Sequence, residues 1–258
     1  MSAMPDLPPG VAWSSAVEDF LPAGAFGLWQ AGVSTRRLAF DHEPGRLQLT
    51  MYAGACLEDW DLAIDVIEAA AIWSDNAIAA DFLGAVEPAA MRAALGRDLQ
   101  YGQLLSSVRT MLFMAAEKGP ISIPGPARRT VIGPRVIAEL GPHDDVARAE
   151  RFVSIMRRVQ WPPSRYESAT SFDASGNGAP YTLCIWQRTH PCLLPATDRL
   201  VLPKTEHERT IVVPRACLDE LPGVEARYVD DGNQLVEPVR DDAWGAVRAR
   251  AAELEIRT

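Results

Sequence analysis

The stretch that decides the fold is residues 36–73, RRLAFDHEPGRLQLTMYAGACLEDWDLAIDVIEAAAIW. In its first half, apolar residues occupy alternate positions at Leu47, Leu49 and Met51, just after the turn-forming residues DHEPG at 41–45. A two-residue alternation beside a Pro-Gly turn is typical of a β-hairpin. This half is therefore predicted to be a hairpin.

The second half, residues 57–73, changes to a helical period. Trp60, Ile64, Ile67 and Ala71 recur at intervals of 4, 3 and 4 residues. This spacing places the four side chains on one face of an α-helix. The pair of elements predicts a hairpin followed directly by an amphipathic helix.

The rest of the chain continues this alternation. Before the hairpin, the first 35 residues are rich in Pro and Gly and predict an irregular arm. Residues 74–118 are predicted to be mostly helical, and another helix is predicted to start near Asp144. Extended segments are predicted at 128–140, 180–188, 198–202 and 209–213, a hairpin at 224–238 around Asp231-Gly232, and a last helix capped by Asp241 or Asp242. The predicted fold class is α+β, with two hairpin-and-helix units around antiparallel or mixed sheets.

A Pro- and Gly-rich segment, GPISIPGPAR at 119–128, is the best candidate for an internal boundary. Its residues neither continue a helix nor suit a central strand. The prediction is an N-terminal unit of residues 1–118 with the arm, the hairpin and acidic helices, a linker at 119–128, and a C-terminal α+β unit at 129–258. One continuous domain is the alternative.

Composition excludes several classes of protein. The 258 residues carry 25 Lys and Arg against 34 Asp and Glu, a net charge of −9, which argues against binding to nucleic acid or anionic lipid. No run of about 20 apolar residues predicts a membrane span. The start MSAMPDLPPG lacks the features of a secretory signal, and four irregularly spaced cysteines do not suggest a disulfide framework. The expected compartment is the cytoplasm.

Acidic residues are concentrated in one part of the sequence. Residues 1–128 hold 15 acids and 8 bases, a net charge of −7, whereas residues 129–258 hold 19 and 17, a net charge of −2. Between Arg46 and Arg92 there is no Lys, Arg or His. The helical pattern could present a solvated face, or a docking surface that steers a basic partner. The candidate partner-binding residues are Glu58, Asp59, Asp61, Asp65 and Glu68 on this helix, with Asp230 and Asp231 at the tip of the later hairpin.

Motifs for catalysis are missing from the sequence. It has no G-x-S-x-G, no H-E-x-x-H and no P-loop, and SGNGAP at 175–180 lacks the third glycine of a dinucleotide fingerprint. Cys56 precedes the acidic helix, whose dipole would favour a thiolate that the neighbouring acids oppose. No catalytic residue and no cofactor are predicted.

One weak metal alternative remains. Cys184, His190 and Cys192, with His207 downstream, are zinc-ligand types, but the cysteines are eight residues apart rather than two to four. The alternative interpretation is a buried cysteine in a strand and a loop His-Pro-Cys.

A family resemblance follows from the order of these segments. The run RLQLTMYAG, then CLEDWDLAIDVIEAAAIW, a helical middle, and FDASGNGAPYTLCIWQR is similar to bacterial immunity proteins paired with type VI secretion toxins, including those for nucleases. The resemblance covers the whole chain as an order of elements, and no site residues carry over from it. It implies a cytoplasmic α+β protein that binds and neutralises a cognate toxin, a basic protein, by occluding its active site.

Two other functions stay open at this point. One is an enzyme with a non-obvious site, for which the zinc set above is the best candidate. The other is a structural or accessory component of a phage or secretion system, which would form stable homo-oligomers.

Overall fold

The structure is a computed structural model. The chain divides into two compact units, Met1–Trp161 and Pro162–Thr258. Helices and small antiparallel or mixed sheets both contribute, which confirms the predicted α+β class. No helix in the described part of the chain is long and apolar enough to cross a membrane. The described residues are 11–14, 26–43, 46–74, 78–80, 84–142, 145–162, 165–166, 169–172, 181–204 and 209–256.

The first unit opens with a four-stranded antiparallel sheet in sequence order. Its strands are β1 (Val11–Ser14), β2 (Phe26–Gln30), β3 (Leu38–Glu43) and β4 (Arg46–Thr50). The predicted hairpin is confirmed, with Glu43 opposite Arg46, and residues 44–45 of the predicted turn lie outside the described residues. The arm expected to be irregular instead contributes β1 and β2.

Five helices follow among the described residues of this unit. They are α1 (Leu57–Ser74), α2 (Met91–Ala94), α3 (Arg97–Lys118), α4 (Pro134–Leu140) and α5 (Val146–Gln160), with a 3-10 turn at Pro88–Ala90. Helix α1 confirms the predicted segment, and Ile64 on its apolar face is fully buried. Helix α3 ends at Gly119, whose φ of 86° lies in the region that glycine adopts without steric cost.

Two sequence predictions in this unit are corrected. The stretch predicted to be mostly helical contains a short antiparallel pair, β5 (Ile78–Ala80) and β6 (Gly84–Val86), because three-residue strands leave no period to detect. The second half of the predicted extended segment 128–140 is α4. Pro134 takes the first helical turn there, where its missing N–H costs nothing.

The predicted linker at 119–128 lies inside the first unit. Its residues form β7 (Ile121–Pro124), which pairs with β8 (Arg129–Ile132) in a hairpin. Gln160, at the end of α5, is fully buried and fastens the turn: its Oε1 accepts from Ala127 N and Arg128 N at 3.0 Å each, and its Nε2 donates to Arg128 O at 2.9 Å. The boundary predicted here is therefore replaced by one between residues 161 and 162.

The main core of the first unit lies between α3, α4, α5 and the β7–β8 hairpin. It includes Leu104, Val108, Met111, Leu112, Ile132, Leu140, Phe152 and Met156. Val146, at the start of α5, lies outside this core and is 41% exposed. Asp145 caps α5 by accepting from Arg148 N at 2.9 Å.

The described residues of the second unit form two four-stranded mixed sheets and one helix. Its strands are β9 (Arg165–Tyr166), β10 (Ala169–Phe172), β11 (Tyr181–Ile185), β12 (Cys192–Leu194), β13 (Arg199–Leu202), β14 (Ile211–Pro214), β15 (Ala226–Tyr228) and β16 (Gln234–Val236). The sheet orders are β10-β11-β13-β14 and β15-β16-β12-β9, with β11–β13 and β12–β9 parallel. A 3-10 turn spans Arg215–Glu220, and α6 is Asp241–Glu253.

The strands predicted near β11, β13 and β14 and the hairpin β15–β16 are confirmed. Trp244, Val247 and Ala251 of α6 pack into the core of this unit with Trp186 of the segment after β11. Asp241 and Asp242 lie within the first turn of α6 rather than at its cap position, which Arg240 occupies. They favour the helix start through its dipole.

Candidate functional site

Three predicted docking residues on α1 form a surface that arginines partly neutralise. Asp65 Oδ1 and Glu68 Oε2 lie 2.6 and 2.9 Å from Arg92 Nη2, and Asp61 Oδ2 lies 2.8 Å from Arg97 Nη2. Asp61, Asp65 and Glu68 are called the α1 carboxylate surface below. Two arginines against three carboxylates leave a net charge of −1, so this surface is a network of exposed ion pairs rather than a set of free acids.

Glu58 is also held by an arginine. Its Oε2 pairs with Arg157 Nη2 of α5, and Arg157 Nε donates to Val33 O at 2.9 Å. Burial raises the pKa of Glu58, but the Arg157 hydrogen bond and charge outweigh burial and leave that pKa below its usual value. Glu58 therefore ties α1 to α5 and to the β2–β3 connection.

Asp59 is fully buried and is not part of any surface. Its Oδ2 accepts from Cys56 N at 2.9 Å, Arg36 N at 3.1 Å and Thr35 Oγ1 at 2.9 Å. A carboxylate that satisfies several buried donors is a structural clamp, because removing it would leave those donors without partners. Asp59 is accordingly removed from the predicted docking residues.

Asp230 has a similar structural role at the tip of the second unit's hairpin. It is 2% exposed, and its Oδ1 accepts from Gly232 N at 2.7 Å and Asn233 N at 2.6 Å. Its Oδ2 accepts from Asn233 Nδ2 at 2.8 Å. This pattern is the local turn that Asp forms with its own backbone. Asp230 is also removed from the docking residues, while the neighbouring Asp231 is half-buried.

The charge asymmetry of the sequence does not follow the structural units. Residues 1–161 carry 19 acids and 14 bases, a net charge of −5, and residues 162–258 carry 15 and 11, a net charge of −4. The shorter unit is thus slightly more acidic per residue. The acidic run between Arg46 and Arg92 is balanced by arginines that follow it in the chain.

The weak zinc alternative gains no geometric support among the described residues. Cys184 and Cys192 are both fully buried in the core of the second unit. The Cys192 thiol donates to Gln187 O at 2.9 Å, and the Cys184 thiol lies 3.4 Å from Thr197 Oγ1. Within the described ranges no group of three His, Cys, Asp or Glu side chains is placed to hold a metal, and His207 and SGNGAP lie outside them.

Cys56 is a protonated, inert thiol. Burial and the Asp59 charge raise its pKa to about 12, and the side chain is fully buried. A reactive cysteine needs a lowered pKa and access to solvent. The proximity of Cys56 to the start of α1 therefore has no nucleophilic consequence.

One exposed aromatic side chain is not among the residues predicted from the sequence. Phe113 of α3 is 66% exposed, the highest value among the large apolar residues that the structure describes. The exposed residues Arg109, Thr110 and Glu117 lie one turn away on the same side of the helix. Because Met111 and Leu112 beside it are buried, the apolar run MLFM alone does not single out Phe113.

Comparisons with protein-family models, with curated protein sequences and with solved structures gave no match. Any inference about function therefore rests on the chain's own geometry.

Proposed function

We propose that this chain is a binding protein of the immunity type: in the cytoplasm it binds a cognate antibacterial toxin and occludes the toxin's active site. The observation that carries this proposal is the exposure of Phe113 on a helix whose opposite face is well packed. Binding energy at protein interfaces concentrates in a few aromatic and Arg side chains on rigid supports. Phe113 and Arg109 together are such a pair.

The support under Phe113 is rigid. Helix α3 has 22 residues, and Leu104, Val108 and Ala115 on its inner side belong to the main core of the first unit. The backbone at Phe113 is therefore held in a fixed place, and little backbone order is lost when a partner covers the ring. A partner would bury a ring that water now surrounds, which is favourable in itself.

The α1 carboxylate surface would contribute in a different way, because the arginine that pairs with Asp61 projects from another side of α3. Arg97, which pairs with Asp61, and Phe113 are sixteen residues apart on α3, or about 160° around the helix axis. A partner that covers Phe113 does not lie over Arg97. The carboxylates would then act at longer range, by steering a basic toxin, rather than by direct contact.

The proposal is tested by a titration of toxin activity. Tagged chain is used to capture proteins from the cells that encode it, at low and at moderate salt. A captured basic protein is then expressed alone, and its nuclease or other toxic activity is measured against increasing amounts of the chain. Loss of activity that is complete at a one-to-one ratio supports the proposal.

The control is a truncation to alanine at another exposed apolar residue. Phe113→Ala should weaken inhibition, while Val146→Ala at the start of α5 should not. A captured protein whose activity is unaffected by excess chain contradicts the proposal, as does a chain that forms closed homo-oligomers covering Phe113. The second outcome would favour the accessory-component alternative.

A further inference from the structure

Arg36, between β2 and β3, is a buried cation with unused hydrogen-bonding capacity. The residue is 7% exposed, and its Nε is buried with no hydrogen-bond partner in the described part of the chain. Burial lowers the pKa of Arg36 to about 10, so the guanidinium is still charged at neutral pH. A guanidinium has five donors, and leaving them unused away from water is costly.

The surroundings compensate the charge of Arg36 without saturating its donors. The guanidinium carbon lies 5.5 Å from the centre of the Tyr52 ring, within cation–π range. The Asp59 charge also favours the cation, but Asp59 Oδ2 already accepts from Thr35, Cys56 and the Arg36 main chain. The other oxygen, Asp59 Oδ1, is buried and makes no hydrogen bond to the Arg36 guanidinium. Neighbouring Arg37, by contrast, donates from its Nε to Pro126 O at 3.0 Å.

We infer that Arg36 and Tyr52 form a binding site for a carboxylate group. A planar carboxylate can accept two parallel hydrogen bonds from a guanidinium, which is the strongest pairing that this side chain makes. The site consists of the segments 33–37 and 51–56, and it does not depend on the immunity proposal.

Charge and access favour a monoanion that enters beside Tyr52. The buried Asp59 carboxylate offsets the Arg36 charge. Asp59 would therefore repel a ligand with two negative charges, such as a phosphate dianion, more than it repels a ligand with a single carboxylate. Tyr52 is half-buried and the next residue, Ala53, is exposed, so the Tyr52 side of Arg36 is close to solvent. The carboxylate can come from a small organic acid or from an acidic side chain of a protein.

The test is a titration of the intact chain followed by NMR of arginine side chains labelled with nitrogen-15. Sodium acetate is added at constant ionic strength, with sodium chloride as the reference, and the Arg36 Nε–H signal is identified by its loss in Arg36→Lys. Arg248 is the internal control: it is 6% exposed, and its guanidinium donates to the carbonyl oxygens of Pro203 and Arg209. The expected result is a saturable shift at Arg36 with little change at Arg248.

Two further measurements are added. One distinguishes a small organic acid from a protein side chain as the origin of the carboxylate, and the other uses a variant that keeps the positive charge. N-acetylglutamate amide represents an acidic protein side chain, and tighter binding than acetate would point to a protein ligand. Arg36→Lys keeps the charge but not the bidentate geometry, so acetate should bind at least about tenfold more weakly by a thermal-shift titration. The inference would be overturned by equal shifts at Arg36 and Arg248, or by a shift at Arg36 that does not saturate. Unchanged acetate binding in a folded Arg36→Lys protein would overturn it as well.

Discussion

Thr35 donates twice to the same oxygen of Asp59, from its main-chain N at 3.2 Å and from its Oγ1 at 2.9 Å. Cys56 N, at the cap position of α1, donates to that oxygen as well, at 2.9 Å. An acid at the third helical position that reaches back to the cap N–H is half of a capping box. Here the same carboxylate also fixes the β2–β3 connection, so the start of α1 and the sheet are joined through one side chain.

Replacing Asp59 should therefore destabilise the first unit strongly. Asp59→Ala leaves the buried N–H groups of Thr35 and Arg36 without acceptors, while the N–H of Cys56 keeps only Thr35 Oγ1, and we expect a loss of about 3 kcal/mol or more in the free energy of unfolding. Urea unfolding followed by circular dichroism measures the loss. Asp65→Ala is the control, since an exposed ion pair contributes about 0–1 kcal/mol. Equal effects of the two substitutions would contradict the clamp.

Gly125 tests the attachment of the β7–β8 hairpin. A Cβ at this position would overlap the side-chain amide of Gln160, which is fixed by its hydrogen bonds to Ala127, Arg128 and Thr130. Gly125→Ala is expected to cost about 1–3 kcal/mol of unfolding free energy, because either the turn or Gln160 must move.

Gly102→Ala is the matched control for that measurement. Gly102 lies in α3, and a Cβ added there would have no neighbour within 4 Å, so alanine should stabilise the helix by about 0.5–1 kcal/mol. Opposite signs for the two Gly→Ala changes are the expected result. A neutral Gly125→Ala would show that Gln160 does not hold the turn.

Local periodicity was sufficient for most elements, as α1 and the β3–β4 hairpin show. It failed where a Pro- and Gly-rich segment suits a hairpin turn as well as a linker, as at 119–128. What decides between them is Gln160, more than thirty residues away, and no local pattern contains that contact. The same holds for β5 and β6, which are too short to have a period.

The residues of the candidate site also fall into some that local sequence patterns predict and some that they do not. The helical period already separates Asp59 from the stripe of Glu58, Asp61, Asp65 and Glu68, so its burial could have been predicted. An Asp followed by Asp-Gly-Asn is likewise a turn signal that accounts for Asp230. Partners from other elements, such as Arg92 for Asp65, and the burial of Arg36 depend on tertiary packing.

Thiol chemistry should reflect the burial of the cysteines. Cys56, Cys184 and Cys192 are buried and Cys217 is half-buried, so Ellman's reagent should modify one thiol per folded chain and four after unfolding. Burial and Glu220 raise the pKa of Cys217. Its reaction should therefore be slow at pH 7 and should accelerate as the pH rises past its ordinary value of 9. Rapid modification of Cys56 in the folded chain would contradict its assignment as an inert thiol.

Steering by the α1 carboxylate surface predicts opposite effects from two substitutions. Arg92→Ala removes a charge that neutralises Asp65 and Glu68, so a basic toxin should associate about two- to threefold faster at low salt. Asp65→Lys should slow association, and both differences should shrink at high salt. Stopped-flow mixing with the purified toxin measures the rates.

Arg250→Ala is the control for steering, because Arg250 pairs with Glu220 and Glu253 on the other unit and its loss changes the net charge equally. If Arg250→Ala accelerates association as much as Arg92→Ala, the association rate depends only on the net charge of the chain. The α1 carboxylate surface would then have no specific part in docking.

The most direct test of the proposed function is the dissociation constant of the toxin complex for Phe113→Ala beside Val146→Ala. Both side chains are exposed, at 66% and 41%, so neither change should alter the free energy of unfolding by more than about 0.5 kcal/mol. We predict that Phe113→Ala weakens binding by roughly 30-fold or more, about 2 kcal/mol, and that Val146→Ala leaves it unchanged. Wild-type affinity in a folded Phe113→Ala protein would contradict the proposed role of this face.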